Sequence, residues 1–226
     1  MKFKDRLVLI TGGTSGIGRI MARMAFERGA RKVIVWGTSQ HKIDDTVAEF
    51  SAKGYDIAGY SVDVSDAKAV ELAAVNLRAV HGEVDILINN AGVVTSNRTF
   101  DDYSVEEIDR TMDINAKAPM YVALRFLPAM VKRNTGHICN IASAGGMISN
   151  PKMSIYAASK WAVIGWSDSV RIELEQMGSR VKVTTIAPYY IKTGMFDGVK
   201  SSIIPVLKPE YVSRKILKAI EKGKIK

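Results

Sequence analysis

Short apolar runs at 7–10, 32–36, 57–62, 86–89, 136–141 and 181–186 alternate along the chain with longer stretches at 16–29, 40–53, 66–81, 103–132 and 155–177. In the longer stretches apolar residues recur every three or four positions, as on one face of a helix. The short runs are rich in β-branched residues and lack polar alternation, the pattern of parallel strands covered on both faces. Parallel neighbours need crossovers, and strand–helix alternation supplies them as right-handed βαβ units. The expected fold is α/β, a doubly wound parallel sheet with helices on both faces. Ligands of such sheets bind beyond the carboxyl ends of the strands, where the strand order reverses.

Other features agree with this reading. A length of 226 residues without repeats or a Pro/Gly-rich linker reads as one domain over 1–226. With 47% hydrophobic and 24% charged residues the chain is neither disordered nor disulfide-stapled. The single cysteine, Cys139, sits near Ile138 and Ile141 and is expected in a buried strand. No apolar run reaches the ~18 residues that span a bilayer, and no leader follows Met1, so a soluble cytoplasmic protein is expected. The net charge is +9, and between Lys200 and Lys226 eight Lys or Arg face only Glu210 and Glu221. That region reads as solvated surface. Peripheral contact with an anionic membrane is the alternative, through 211–222, where Val212, Ile216 and Ile220 share one side and Arg214, Lys215, Lys218 and Lys222 surround it. The basic residues are not interleaved with aromatics in a stripe, so no nucleic-acid partner is expected, and no metal site either.

The first strand runs into Thr11-Gly12-Gly13-Thr14-Ser15-Gly16-Ile17-Gly18 and then a helix. Glycines there permit a tight turn and close backbone approach, and a helix N-terminus offers N–H groups to a pyrophosphate. The spacing departs from the general G-x-G-x-x-G, which leaves an ordinary strand–helix turn open. It fits, however, the T-G-x-x-x-G-x-G of the short-chain dehydrogenases/reductases, and the chain resembles that family from end to end. Asn89-Asn90-Ala91-Gly92 matches its N-N-A-G motif. The resemblance implies a Rossmann-type fold and a dinucleotide held by Gly12, Thr14, Ser15, Gly16, Ile17 and Gly18. Asp63 and the adjacent Val64 would meet the adenine, and Asn90, Ala91 and Gly92 would shape the floor.

Tyr156-Ala157-Ala158-Ser159-Lys160 places a phenol and an ammonium four residues apart, on one face of a helix. A nearby cation favours phenolate, which suits proton exchange with an alcohol or carbonyl. Ser143 follows the strand at 136–141, at the carboxyl end of the sheet, and Asn115 is a polar residue early in a long helical stretch. Singly each has an ordinary explanation. In the family they resemble, Asn115, Ser143, Tyr156 and Lys160 form the active-site tetrad. That implies Tyr156 as general acid/base and Lys160 as the group that lowers its pKa and binds the nicotinamide ribose. Ser143 would orient the reacting C–O bond, and Asn115 would help position a water leading from Lys160.

At the end of the second strand Trp36-Gly37-Thr38-Ser39 carries no acid to accept from a ribose 2′-OH, and Thr38, Ser39 and Lys42 are placed to meet a 2′-phosphate. NADP(H) is therefore favoured, with NAD(H) the alternative. After the sixth strand Pro188-Tyr189 stands where the family has Pro-Gly; Pro188, Ile191 and Thr193 still resemble its nicotinamide-binding segment. Met147, Met153, Tyr189 and Met195 are candidates to wall a hydrophobic substrate cleft, with Phe196, Val199, Ile203, Ile204 and Val206 beyond.

The stretches 90–94 and 126–138 look most like the branch acting on retinol, steroid alcohols and other lipid alcohols or ketones. Reduction of 3-oxoacyl groups on an acyl-carrier protein is the runner-up, and a non-catalytic dinucleotide-binding redox sensor the alternative of another class. Relatives pair into homodimers or homotetramers through the helices here at 116–132 and 157–177, where Trp161 and Trp166 lie. Most continue into a seventh strand, so the C-terminal end is read as short of the family pattern.

Overall fold

The computed structural model describes residues 1–194 and 206–225. Six parallel strands form one sheet: β1 (Leu7–Thr11), β2 (Lys32–Gly37), β3 (Ile57–Ser61), β4 (Ile86–Asn89), β5 (His137–Ile141) and β6 (Lys182–Ile186). Their spatial order is β3-β2-β1-β4-β5-β6, the doubly wound Rossmann order, so the chain reverses direction across the sheet between β1 and β4.

Among the described residues seven α-helices cover the sheet: α1 (Gly16–Phe26), α2 (Gln40–Ser51), α3 (Ala67–His81), α4 (Val105–Met112), α5 (Ala118–Lys132), α6 (Ser154–Gln176) and α7 (Pro209–Lys222). The strands show why alternation was missing from the sequence. In β1, Val8 and Ile10 enter one apolar core with Met21, Ala25 and Leu217, while Leu7 and Leu9 enter the other with Val122, Phe126 and Leu174. Both faces are dry. Cys139 is fully buried on β5, and burial pushes its thiol above the usual range, so it packs as an inert apolar group.

Two expectations are corrected. The stretch 103–132 is two α-helices rather than one, because a π-helical turn over Asp113–Lys117 carries Asn115 between α4 and α5. A π turn inserts a residue into the helical repeat, and it persists where outside contacts offset the poorer backbone bonding. The second concerns α7. In the alternative reading of this region its apolar side meets an anionic membrane, yet Val212, Ile216 and Ile220 are buried against α1 and the sheet. Arg214, Lys215, Lys218 and Lys222 face outward, with Glu210 and Tyr211. Among the described residues no helix is long and apolar enough to cross a membrane. Trp161 is half exposed on α6, whereas Trp166 packs against the core.

Candidate active site

The turn after β1 is shaped by contacts that exclude side chains. Gly12 has φ +63°, and a Cβ on Gly18 would lie 2.2 Å from the Gly12 carbonyl oxygen, so α1 starts directly beneath the turn. Ser15 flanks the helix without its side chain capping it, which leaves the first N–H groups of α1 to a ligand. From β4, the Asn90 Nδ2 donates to the carbonyls of Thr11 and Gly12 at 3.0 and 3.2 Å. The Thr11 hydroxyl accepts from the amides of Asn90 and Ala91, both at 3.0 Å. The ends of β1 and β4 are thereby pinned on either side of the strand reversal.

Two adjoining clefts of about 340 and 560 Å³ follow this crevice. Gly12, Ser15, Gly16, Ile17, Asn90, Ala91 and Gly92 line the first, and Ser143, Tyr156, Lys160, Pro188, Ile191 and Thr193 close its inner end. Thr14, Thr38, Ser39, Asp63 and Val64 line the second. Of the residues expected at a dinucleotide, only Gly18 lies underneath rather than on the surface. Asp63 Oδ1 accepts from the Ser65 amide and hydroxyl at 3.0 and 2.6 Å. Ser39 Oγ accepts from the Lys42 amide and caps α2. Lys42 and Arg110 are the cations of the outer cleft. A Cβ on Gly92 would stand 3.3 Å from Asn115 Oδ1, a tight contact, and 3.5 Å from Lys160 Nζ, so glycine leaves room beside both. The cradle fits a dinucleotide.

Ser143, Tyr156 and Lys160 converge at the inner end. Ser143 follows β5, with its Oγ accepting from the Gly145 amide at 3.1 Å, and it shares a hydrogen bond with Tyr156. Tyr156 and Lys160 are one turn apart on α6, both buried, and Lys160 Nζ donates to the Ile141 carbonyl at 3.1 Å. Burial pushes the lysine down to about 8. Burial raises the Tyr156 phenol, the Ser143 hydrogen bond pulls it back in part, and nearby Tyr190 raises it further. Lys160 Nζ stands 5.7 Å from the centre of this ring.

Asn115 lies at the same end, and its side chain is engaged by protein. It donates to the Val93 carbonyl (2.9 Å) and Ser159 Oγ (3.2 Å) and accepts from the Val93 amide (2.8 Å). Ser159 in turn donates to the Tyr156 carbonyl at 2.7 Å. The loop after β4, the π turn and α6 are thus stapled together. Sequence reasoning missed Val93 and Ser159; the latter stands inside Tyr156-x-x-Ser159-Lys160, where a serine in a helix interior asks for a partner.

Beside the cleft lies an apolar pocket of about 260 Å³, lined by Ser143, Tyr156, Met153, Tyr189 and the unanticipated Ile148, Asn150 and Tyr190. Met153 and Tyr189 stand where expected. Met147 does not: the turn over Ala144–Gly146 points it away, half exposed, into a separate groove along β6 and α7. Met195, Phe196, Val199, Ile203 and Ile204 lie outside the described residues.

The family model for short chain dehydrogenases matches residues 6–203. The chain belongs to this family. It is 37% identical over 219 residues to mouse "Epidermal retinol dehydrogenase 2", covering 95% of this chain and 70% of that protein. It is 34% identical over 215 residues to human "Estradiol 17-beta-dehydrogenase 11", covering 95% and 71%. A metagenomic short-chain oxidoreductase solved in complex with NADP superposes with a TM-score of 0.83 at 28% identity, covering 96% of this chain and 91% of the other. A Burkholderia phymatum family member solved in complex with NAD gives 0.82 at 27%, covering 99% and 82%. The short-chain dehydrogenase described here is an NAD(P)-dependent oxidoreductase acting on alcohol and ketone groups.

Proposed function

We propose that this dehydrogenase interconverts a lipid alcohol, such as a hydroxysteroid or a retinol-like alcohol, with its ketone or aldehyde, using NADP(H). One observation carries the reading: Ser143 and Tyr156 line both the dinucleotide cleft and the apolar pocket, so they stand on the partition between the two. The bound nicotinamide would supply or accept hydride across that partition. The protein's part is electrostatic. The Ser143 and Tyr156 hydroxyls orient and polarise the substrate oxygen, and Tyr156, kept neutral by burial, gives its proton as the oxygen gains charge in reduction. Lys160 would hold the nicotinamide ribose, and Asn115 positions Lys160's floor and α6 rather than touching substrate. The apolar walls and the retinol and estradiol dehydrogenases among the relatives favour a lipid over a small polar alcohol.

NADP(H) is favoured because Gly37 ends β2 without a carboxylate, and Thr38, Ser39 and Lys42 border the outer cleft. A homo-oligomer would use α5 and α6, where Leu124, Trp161 and Ile172 are exposed. Any contact with an anionic membrane would rest on α7's cations alone. Following nicotinamide absorbance across steroid ketones, lipid aldehydes, 3-oxoacyl thioesters and small ketones tests the reading. Preference for steroid or retinoid substrates is the expected result; turnover of 3-oxoacyl thioesters alone would replace it.

A further inference from the structure

The pocket beside the catalytic pair has a second polar end. Its walls are apolar at Ala144, Ile148, Met153 and Ala157, yet Asn150 and Tyr190 bring an amide and a phenol into the same space as Ser143 and Tyr156. These two are bonded to each other across forty residues of sequence: Asn150 Nδ2 donates to the Tyr190 hydroxyl oxygen at 2.9 Å. The Tyr190 hydroxyl also reaches Met153 Sδ at 3.9 Å, and its ring packs edge-on against Tyr189, centroids 4.8 Å apart. The phenol is therefore fixed from three sides, by elements that also wall the pocket.

We propose that Tyr190 and Asn150 form a distal subsite selecting substrates with a second oxygen function, a hydroxyl or carbonyl, apart from the carbon that reacts. This rests on the reading that Ser143 and Tyr156 hold the reacting oxygen. A thioether sulfur is a weak acceptor, and a substrate oxygen in its place would be a far better partner for the phenol. The Asn150 amide has a carbonyl oxygen and a second N–H besides the bond it gives Tyr190, so the pair can meet either a donor or an acceptor. A monofunctional lipid alcohol would instead put hydrocarbon against these groups and bind less well, since polar groups that lose their partners on desolvation cost affinity.

The experiment uses matched ketones that differ only in the distal oxygen. One pair is a steroid ketone with and without a remote hydroxyl; the other is a cyclohexanone with and without a 4-hydroxyl. For the wild type, kcat/KM should favour the two-oxygen member by ~10-fold. Tyr190→Phe keeps the ring and its packing on Tyr189, and should bring that ratio to within ~2-fold, whatever it does to the absolute rates. Asn150→Leu, at an exposed position, should narrow the ratio in the same direction. A wild-type ratio near one in every pair that turns over, or a ratio that survives in Tyr190→Phe, overturns the subsite. Turnover of the cyclohexanones without the steroids would refute the lipid reading and leave the subsite to be judged on the cyclohexanone ratio.

Discussion

Lys160 Nζ lies 5.7 Å from the centre of the Tyr156 ring, one helical turn away, and is anchored to the Ile141 carbonyl. The ammonium is fully enclosed, and burial alone brings it down to about 8. Its charge is therefore lost within the working pH range. If the charged form holds the cofactor ribose, kcat/KM measured against pH should decline as pH rises through about 8. A profile flat to the ordinary lysine range would show that the ammonium is not the titrating group.

Asn115 and Ser159 should act as a unit. Asn115→Ala would leave both the amide and the carbonyl of Val93 without a side-chain partner, at a cost of roughly 2–4 kcal/mol, and Ser159→Ala should cost about 1 kcal/mol. Urea unfolding of the single and double variants should give a coupling energy of at least ~0.5 kcal/mol. Strict additivity would mean that the 3.2 Å contact does not link them.

Cofactor choice can be moved from the end of β2. Asp at Gly37 would place a carboxylate near a ribose 2′-oxygen and repel a 2′-phosphate, so the NADPH-to-NADH affinity ratio should drop by ~10-fold or more. A Cβ at Gly37 meets Thr14 Oγ1 at 3.0 Å, which must give slightly. Thr38→Asp, at an exposed neighbour, should move the ratio in the same direction without that contact. Unchanged ratios in both variants would place the 2′ position elsewhere.

A buried histidine sets part of the acid stability. His137 begins β5, its Nε2 is 2.8 Å from Thr184 Oγ1, and Nδ1 is enclosed without a partner. Burial first, then the N-terminus and Lys182, push it down to about 3. The unfolded chain titrates this ring near ~6.5, so between the two values it binds more protons than the folded protein. Stability should rise with pH across that window, by at most ~1.4 kcal/mol per pH unit from this group. Denaturation midpoints for His137→Gln should vary less with acid pH than those of the wild type. Equal slopes would assign the effect to other residues.

Much of this was legible in the sequence because it was written in local patterns. The runs around Leu9, Ile34 and Ile88 carry consecutive apolar residues without polar alternation, and that pattern alone implied a sheet dry on both faces. The order of Asn115, Ser143, Tyr156 and Lys160 marked a candidate site; the last three line one cleft, and Asn115 is buried behind it, bonded to Val93 of its wall. What was not legible depends on contacts between distant segments. The π turn at Asn115 is fixed by Val93, twenty-two residues away, and an amphipathic pattern cannot register it. The period of α7 revealed an apolar stripe but not that α1 covers it. Met147 and Met153 are equivalent in composition, and only the turn between β5 and α6 decides which of them faces substrate. The upward shift of the Tyr156 phenol depends on its own burial, which spacing does not report.

The central claim is that the Tyr156 hydroxyl moves the proton. Tyr156→Phe removes that oxygen and keeps the ring that packs beside Lys160, so it isolates the chemistry. The decisive measurement pairs NADPH affinity with single-turnover reduction of the best ketone. The account predicts affinity within ~2-fold of wild type and a reduction rate lower by ~10²–10⁴-fold. A variant that reduces the ketone within ~10-fold of the wild-type rate would contradict it.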